Sequence, residues 1–105
     1  MLVFISGPIN GMPNGNRETF TLRADELRAQ GHEPLSPWDV PPDHTGPCLG
    51  KSVDHGSSHR YGCLFRKGLI ALMSCDAVTF LDGWQTSKGA TIERSVAEAI
   101  GMPIL

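Results

Sequence analysis

Apolar residues occur in short runs, separated by polar segments that contain glycine, and the spacing within each run predicts an element. Residues 2–5 are continuously apolar, which is typical of a strand buried on both faces. Apolar residues at helical spacing then run from Phe20 to Leu27. Asn16 is suited to capping the start of this helix, and Gly31 is suited to ending it. The pattern predicts a strand, a glycine-containing loop and a helix.

The rest of the chain repeats this alternation of elements. Further strands are predicted over 33–36, 77–81 and 103–105, and further helices over 64–73 and 90–100. The resulting order is β-loop-α-β-loop-α-β-loop-α-β. Such alternation predicts an α/β domain with a short parallel sheet of about four strands and helices on both faces, a three-layer sandwich.

The predicted topology indicates two loops as the place of a binding site. In open parallel sheets, ligands bind beyond the carboxyl ends of the strands. The loop after residue 5 and the loop after residue 81 should therefore lie side by side. Around the second loop stand five residues with useful chemistry, which are Asp82, Trp84, Ser87, Lys88 and Glu93.

Glu93 falls in the first turn of the last predicted helix. A carboxylate there has an ordinary role, because it complements the positive end of the helix dipole. It also suits an ionised nucleophile at the floor of a cleft, as in retaining glycoside cleavage. The helix start near Ser87 and Gly89 favours an anion, although Ser87 is equally suited to a plain N-cap.

Composition narrows the class of protein. The 105 residues suit a single domain, and the apolar fraction of 40% and charged fraction of 19% are those of a globular protein. A net charge of −2 without a basic cluster argues against nucleic-acid binding. No apolar run suits a membrane span, and no leader precedes the first strand, so a cytoplasmic protein with reduced cysteines is expected. The core of so small a domain is modest, which favours a homodimer or higher homo-oligomer.

An irregular insert at about 41–62 is rich in Pro, Gly, His and Ser, and we expect it to cover the active site. It supplies the residue types of a zinc site in Cys48, His55, His59 and Cys63. Their spacing, Cys-x6-His-x3-His-x3-Cys, lacks the close cysteine pair of ordinary zinc motifs. Metal binding therefore remains an alternative, and a histidine of the insert could instead protonate a leaving base.

Two motifs taken together carry a resemblance to a known family. The first is Ser6-Gly7-Pro8-Ile9-Asn10-Gly11 with Asn16 and Phe20, and the second is Cys75-Asp76-Ala77-Val78 with Leu81-x-Gly83-Trp84-x-x-Ser87-x-Gly89-Ala90-x-x-Glu93. The chain resembles the nucleoside 2-deoxyribosyltransferase superfamily, in a branch of small phage and bacterial domains of unknown function. The resemblance covers most of the chain apart from the insert.

The resemblance implies a flavodoxin-like fold and cleavage of the N-glycosidic bond of a 2-deoxynucleoside or its 5′-monophosphate. Glu93 matches the family nucleophile, and no cofactor is implied. The residue six positions earlier is Asp in the nucleoside transferases and a phosphate-binding Ser in the nucleotide hydrolases. Ser87 at this position points to a nucleotide.

The resemblance also assigns the walls of the site. Ser6, Gly7, Pro8 and Ile9 match a loop that borders the sugar and base. Trp84 could stack on the base or simply cover the loop, and Asp82 could bind sugar hydroxyls, act as a second catalytic acid or open the turn.

The chain departs from the family pattern at one position, where family members often carry a carboxylate. Family members often carry Arg-x-Asp before the Cys-Asp strand, whereas this chain has Arg66-Lys67-Gly68. Either another acid replaces the missing one or the protein binds a nucleotide without turning it over, as a sequestering or sensing protein. A third alternative is a zinc-stabilised interaction module built on the insert.

Overall fold

The structure is a computed structural model that describes residues 1–39 and 57–105, with side chains for 1–39 and 65–105. Its strands and α-helices, in chain order, are β1 (Leu2–Ser6), α1 (Arg17–Ala29), β2 (Glu33–Leu35), α2 (Ser57–Met73), β3 (Ala77–Phe80) and α3 (Lys88–Ala99). Short 3-10 helices cover Pro13–Asn16, Pro37–Asp39 and Trp84–Thr86. No helix in these two ranges is long and apolar enough to cross a bilayer.

The three strands form a parallel sheet in the order β2-β1-β3. The predicted fourth strand is wrong for the described residues, because the segment after Pro103 pairs with β3 only through a bridge between Ile104 and Val78. Two hydrogen bonds hold that bridge, from Val78 N to Pro103 O (3.0 Å) and from Leu105 N to Val78 O (2.8 Å). One paired residue is too few to make a strand. The predicted α/β class and the parallel strands are confirmed.

Side chains of the central strand β1 point alternately to the two faces of the sheet and pack into two separate hydrophobic clusters. Val3 and Ile5 pack with Phe20 and Leu27 of α1 on one face of the sheet. Phe4 packs on the opposite face, where the partners are Leu72 of α2, Cys75 of the following turn, Val78 of β3 and Ala97 of α3. Helices therefore lie on both faces, as the alternating order of elements predicts.

The C-terminal end of α1 is capped as predicted, but its N-terminal end is not. Gly31 has a left-handed backbone (φ 86°), and His32 N donates to Leu27 O (2.9 Å), which ends the helix as expected. Asn16 does not cap the start with its side chain, because it also adopts the left-handed region (φ 62°). Its Nδ2 instead donates to Pro8 O (3.0 Å). The predicted N-cap is wrong, and the residue fixes the loop after β1.

The helix α2 begins at Ser57, seven residues before its predicted start at 64. The glycines and serines that favour a loop in this part of the sequence do not prevent helix formation. Residues 57–62 of the predicted insert at about 41–62 thus belong to α2, and its residues 41–56 lie outside the described residues.

Candidate active site

The loops after β1 and β3 lie side by side, as the parallel topology predicts. Leu81 N donates to Ser6 O (2.8 Å), which ties the two strand ends together. Gly7 allows this approach, because a Cβ at that position would lie 2.8 Å from the Cβ of Leu81. Farther along, the Pro8 ring lies 3.7 Å from the point where a side chain at Gly83 would begin. The loops after β1 and β3 thus lie at the same edge of the sheet.

Glu93 projects from α3 toward this shared edge. Its side chain is buried, with the whole residue only 7% exposed. The hydroxyl of Ser6, the last residue of β1, donates to Oε1 of Glu93 over 2.6 Å. The contact joins residues 87 positions apart in the sequence. It brings together two of the predicted site residues.

Burial raises the pKa of Glu93 from 4.5 to about 7, because the ionised carboxylate is poorly solvated there. The hydrogen bond from Ser6 acts in the opposite direction and lowers the pKa, since it stabilises the charged form. A carboxylic group with a pKa near 7 changes charge in the neutral range. It is therefore suited to chemistry at that pH.

The position of Glu93 along α3 differs from the prediction. The helix begins at Lys88, and its first turn contains no acidic residue. Glu93 lies in the second turn, and the predicted first-turn position is wrong. Because the dipole effect fades within the first turn, it gives Glu93 little stabilisation.

Gly68 on α2 faces the other oxygen of the carboxylate. A Cβ at this buried position would lie 4.0 Å from Oε2 of Glu93. Within the described ranges, no hydrogen bond reaches Oε2. The residue that departs from the resembled pattern is therefore the one nearest to Oε2, the carboxylate oxygen that Ser6 does not bind.

Ser87 is the N-cap of α3. Its backbone is extended, and its Oγ accepts a hydrogen bond from Ala90 N (3.2 Å). Gly89 is the second residue of the helix and has no side chain to cover the first turn. Both interpretations of Ser87 fit this position, since an N-cap hydroxyl lies beside backbone N–H groups that attract anions.

A family comparison matches the chain over residues 1–105 to DUF4406, described as a domain of unknown function. The chain belongs to the DUF4406 family. No curated protein matches it.

In this DUF4406 domain, Arg94 contacts two aromatic rings and a carboxylate, an arrangement that the sequence analysis did not predict. The guanidinium of Arg94 lies 5.0 Å from the ring centroid of Trp84 and 5.1 Å from that of Phe80. Its Nε also donates to Oε1 of Glu98 (2.8 Å). The spacing of Arg94 and Glu98, four residues apart on a helix, is the one sequence signal for this group. Trp84 thus has partners within the chain, whatever else it binds.

The remaining predicted residues lie around the edge in different environments. Pro8 is buried, and Ile9 packs against the core on the α1 side of the sheet. Asp82 is exposed, and no described hydrogen bond or ion pair involves it. Ile9 is therefore partly committed to packing, whereas Asp82 remains accessible to solvent.

The alternative metal site of this DUF4406 domain falls largely outside the described residues. Cys48 and His55 lie there, and only the backbone of His59 and Cys63 is described, within α2. Among the remaining described side chains, no three His, Cys, Asp or Glu residues come together to hold a metal ion.

Proposed function

We propose that this protein cleaves the N-glycosidic bond of a 2-deoxynucleoside 5′-monophosphate, with Glu93 as the nucleophile. The observation that carries the proposal is the buried carboxylate of Glu93 at the shared loop edge, with Oε1 bound by Ser6 and Oε2 without a partner among the described residues. The resemblance to the nucleoside 2-deoxyribosyltransferase superfamily supplies the reaction. The strand order β2-β1-β3 is also the order in which flavodoxin-like sheets begin.

The chemistry proceeds in two steps. A lone pair of the Glu93 carboxylate forms a bond to C1′ of the sugar as the bond from C1′ to the base nitrogen breaks. The electron pair goes to the base, which takes a proton from water. A second water then attacks C1′, releases the carboxylate and loses its proton to solvent, which leaves 2-deoxyribose 5-phosphate. A second base in place of that water gives transfer instead of hydrolysis.

The choice of a nucleotide rests on the start of α3. Ser87 Oγ and the backbone N–H groups of the first turn form a suitable environment for a 5′-phosphate. We assign Gly7, Pro8 and Ile9, together with Trp84 and Asp82, to the surroundings of the sugar and base. Asp82 is exposed and free to meet a sugar hydroxyl.

Base release tests this proposal directly. The protein is incubated with the four deoxynucleoside 5′-monophosphates and, separately, with the four deoxynucleosides, and free base is measured by chromatography. We expect release from at least one monophosphate and faster release than from the matching nucleoside. Glu93→Gln should abolish it, since a neutral amide is a poor nucleophile, and mass spectrometry of acid-quenched wild-type protein should show a deoxyribosyl-phosphate adduct absent from the variant.

A second candidate function follows from Gly68. With glycine there, no carboxylate from α2 assists Glu93 at Oε2, which favours a protein that binds a nucleotide without cleaving it. Calorimetric titration separates the two functions. Tight binding of a monophosphate without release of base would exclude the proposed enzymatic activity. Turnover that depends on Glu93 would exclude the sequestering function.

A further inference from the structure

Ser6 lies at the point where the central strand ends. Its side chain is fully buried, with 0% of the residue exposed. The side chains of β1 alternate between the two faces, so Ser6 lies on the same face as Phe4, which is the face covered by α2 and α3. Its hydroxyl meets Glu93 Oε1 at 2.6 Å, which is a short, charge-assisted hydrogen bond when the carboxylate is ionised.

The two carboxylate oxygens of Glu93 consequently have different surroundings. Oε1 is bound to Ser6, whereas Oε2 is directed toward Gly68, where a side chain is missing. Because Ser6 belongs to a rigid central strand and Glu93 to a helix, their contact fixes the rotation of the carboxylate. Among the described residues, it leaves Oε2 without a hydrogen-bond partner.

We propose that Ser6 is a positioning residue that holds Oε1 of Glu93 and thereby presents Oε2 as the attacking oxygen. The part of this inference that concerns attack rests on the proposed function. The part that concerns the Ser6–Glu93 contact does not. Ser6 then acts through Glu93, whereas the family resemblance implies that it borders the substrate.

No charged neighbour competes with Ser6 for the control of Glu93 among the described residues. Ser6 on β1 and Gly68 on α2 face the carboxylate, and neither titrates near neutral pH. On α3 itself, Arg94 is engaged with aromatic rings and with Glu98. Among the described residues, burial raises the pKa of Glu93 and the bond from Ser6 lowers it.

Direct titration of Glu93 tests the contact without any substrate. Protein labelled with 13C at the glutamate carboxyl carbon is titrated by NMR, and the signal missing from Glu93→Gln identifies Glu93. In Ser6→Ala we expect the pKa to rise by about one unit, since a hydrogen bond to the charged form is lost. Ser6→Cys, with a weaker donor, should give a smaller rise.

Ser36→Ala is the matched control. Ser36 is another buried serine that follows a strand, and its hydroxyl accepts from Trp38 N rather than contacting Glu93. This variant should leave the pKa of Glu93 unchanged. An unchanged pKa in folded Ser6→Ala, or an equal rise in Ser36→Ala, would overturn the proposal.

Kinetics then test orientation. In Ser6→Ala the rising limb of kcat against pH should move up by the shift seen in NMR. Above both midpoints, kcat should remain several-fold low with KM unchanged, because the ionised carboxylate is less well aligned. Full recovery of kcat at high pH would refute the presentation of Oε2.

The two proposals can fail separately. If wild-type protein releases no base but Ser6→Ala raises the pKa, the proposed function is wrong and the Ser6–Glu93 assignment stands. If base is released and the pKa does not move, the function stands and the positioning role is wrong.

Discussion

The burial of Glu93 links the candidate site to the stability of the protein. The pKa of this group is 4.5 in its ordinary state and about 7 in the fold. Between these values the native protein holds a proton that the unfolded chain has lost, so folding is favoured by acid. The stabilising proton is fully present below about pH 4.5 and is lost as pH rises through about 7. The same burial that suits the group to chemistry therefore reduces stability at neutral pH.

The first prediction concerns this pH dependence. Between pH 5 and 8, the free energy of unfolding of wild-type protein should fall relative to that of Glu93→Gln, by about 1 kcal/mol per pH unit up to pH 7 and about 2.5 kcal/mol over the full interval. Urea unfolding of both proteins at each pH measures the difference, which cancels the other titrating groups. Parallel curves for the two proteins would show that the carboxylate is not destabilised by burial.

The second prediction compares two buried glycines. Gly7→Ala should lower the free energy of unfolding by about 1–3 kcal/mol, because the new Cβ would lie 2.8 Å from Leu81 Cβ and force the strand ends apart. Gly68→Ala is the matched control, since Glu93 Oε2 at 4.0 Å is an ordinary contact. It should stabilise α2 by about 0.5–1 kcal/mol. Urea unfolding gives both values, and equal effects at the two positions would contradict the close approach at Gly7.

Helices and strands could be predicted where the local sequence pattern agreed with the packing of the folded protein. The apolar run of β1 and the helical spacing of α1 are signals that tertiary contacts reinforce, and both were predicted within two residues. The start of α3 was misplaced by two residues, which was enough to move Glu93 out of the first turn. Asn16 misled for a different reason, since a residue suited to capping is equally suited to a left-handed turn.

The third prediction separates the two roles of Ser87. Ser87→Ala removes the hydrogen bond from Ala90 N and should destabilise the protein by about 1 kcal/mol, whereas Ser87→Gly should cost only a few tenths because glycine is a tolerated N-cap. If Ser87 also binds phosphate, both variants lose affinity for a monophosphate and keep that for the nucleoside. Calorimetry and urea unfolding measure the two effects.

Ser95→Ala provides the control for these variants. Ser95 is exposed on the same helix and donates to Thr91 O, so its removal tests the loss of a hydroxyl away from the cap. It should change neither affinity nor stability by more than about 0.5 kcal/mol. Equal affinity of wild-type protein and Ser87→Gly for a monophosphate would exclude the phosphate contact.

Across the molecule, topology explains why part of the site could be predicted. Parallel strands bring the loops after β1 and β3 to one edge whatever their side chains, so the meeting of Gly7 and Leu81 followed from element order alone. The contact between Ser6 and Glu93 could not be predicted in that way. It depends on the rotation of α3 about its axis, which is set by packing in the core. The same applies to the environment of Gly68.

Among the described residues, the two α-helices on one face of the sheet expose more large apolar side chains than α1 does on the other face. Those on the helices of one face are Ile70 and Met73 of α2 and Ile92 of α3, with Ile100 at the end of α3. On α1, across the sheet, Leu22 is the one large apolar side chain that is exposed. Exposed apolar area on one side of a small domain favours self-association through that side. We therefore propose a homodimer that uses the outer surfaces of α2 and α3.

The last prediction tests that dimer. Ile70, 54% exposed, is replaced by Glu, and Leu22→Glu is the matched control on α1, where the side chain is 63% exposed. Sedimentation equilibrium over a range of concentrations should show a dimer for wild-type protein and for Leu22→Glu, and a monomer for Ile70→Glu, because a buried charge at an apolar interface is costly. Both changes lie on exposed helix positions, so each variant should keep the wild-type circular dichroism spectrum. A wild-type monomer at all concentrations, or a dimer lost only in Leu22→Glu, would exclude this interface.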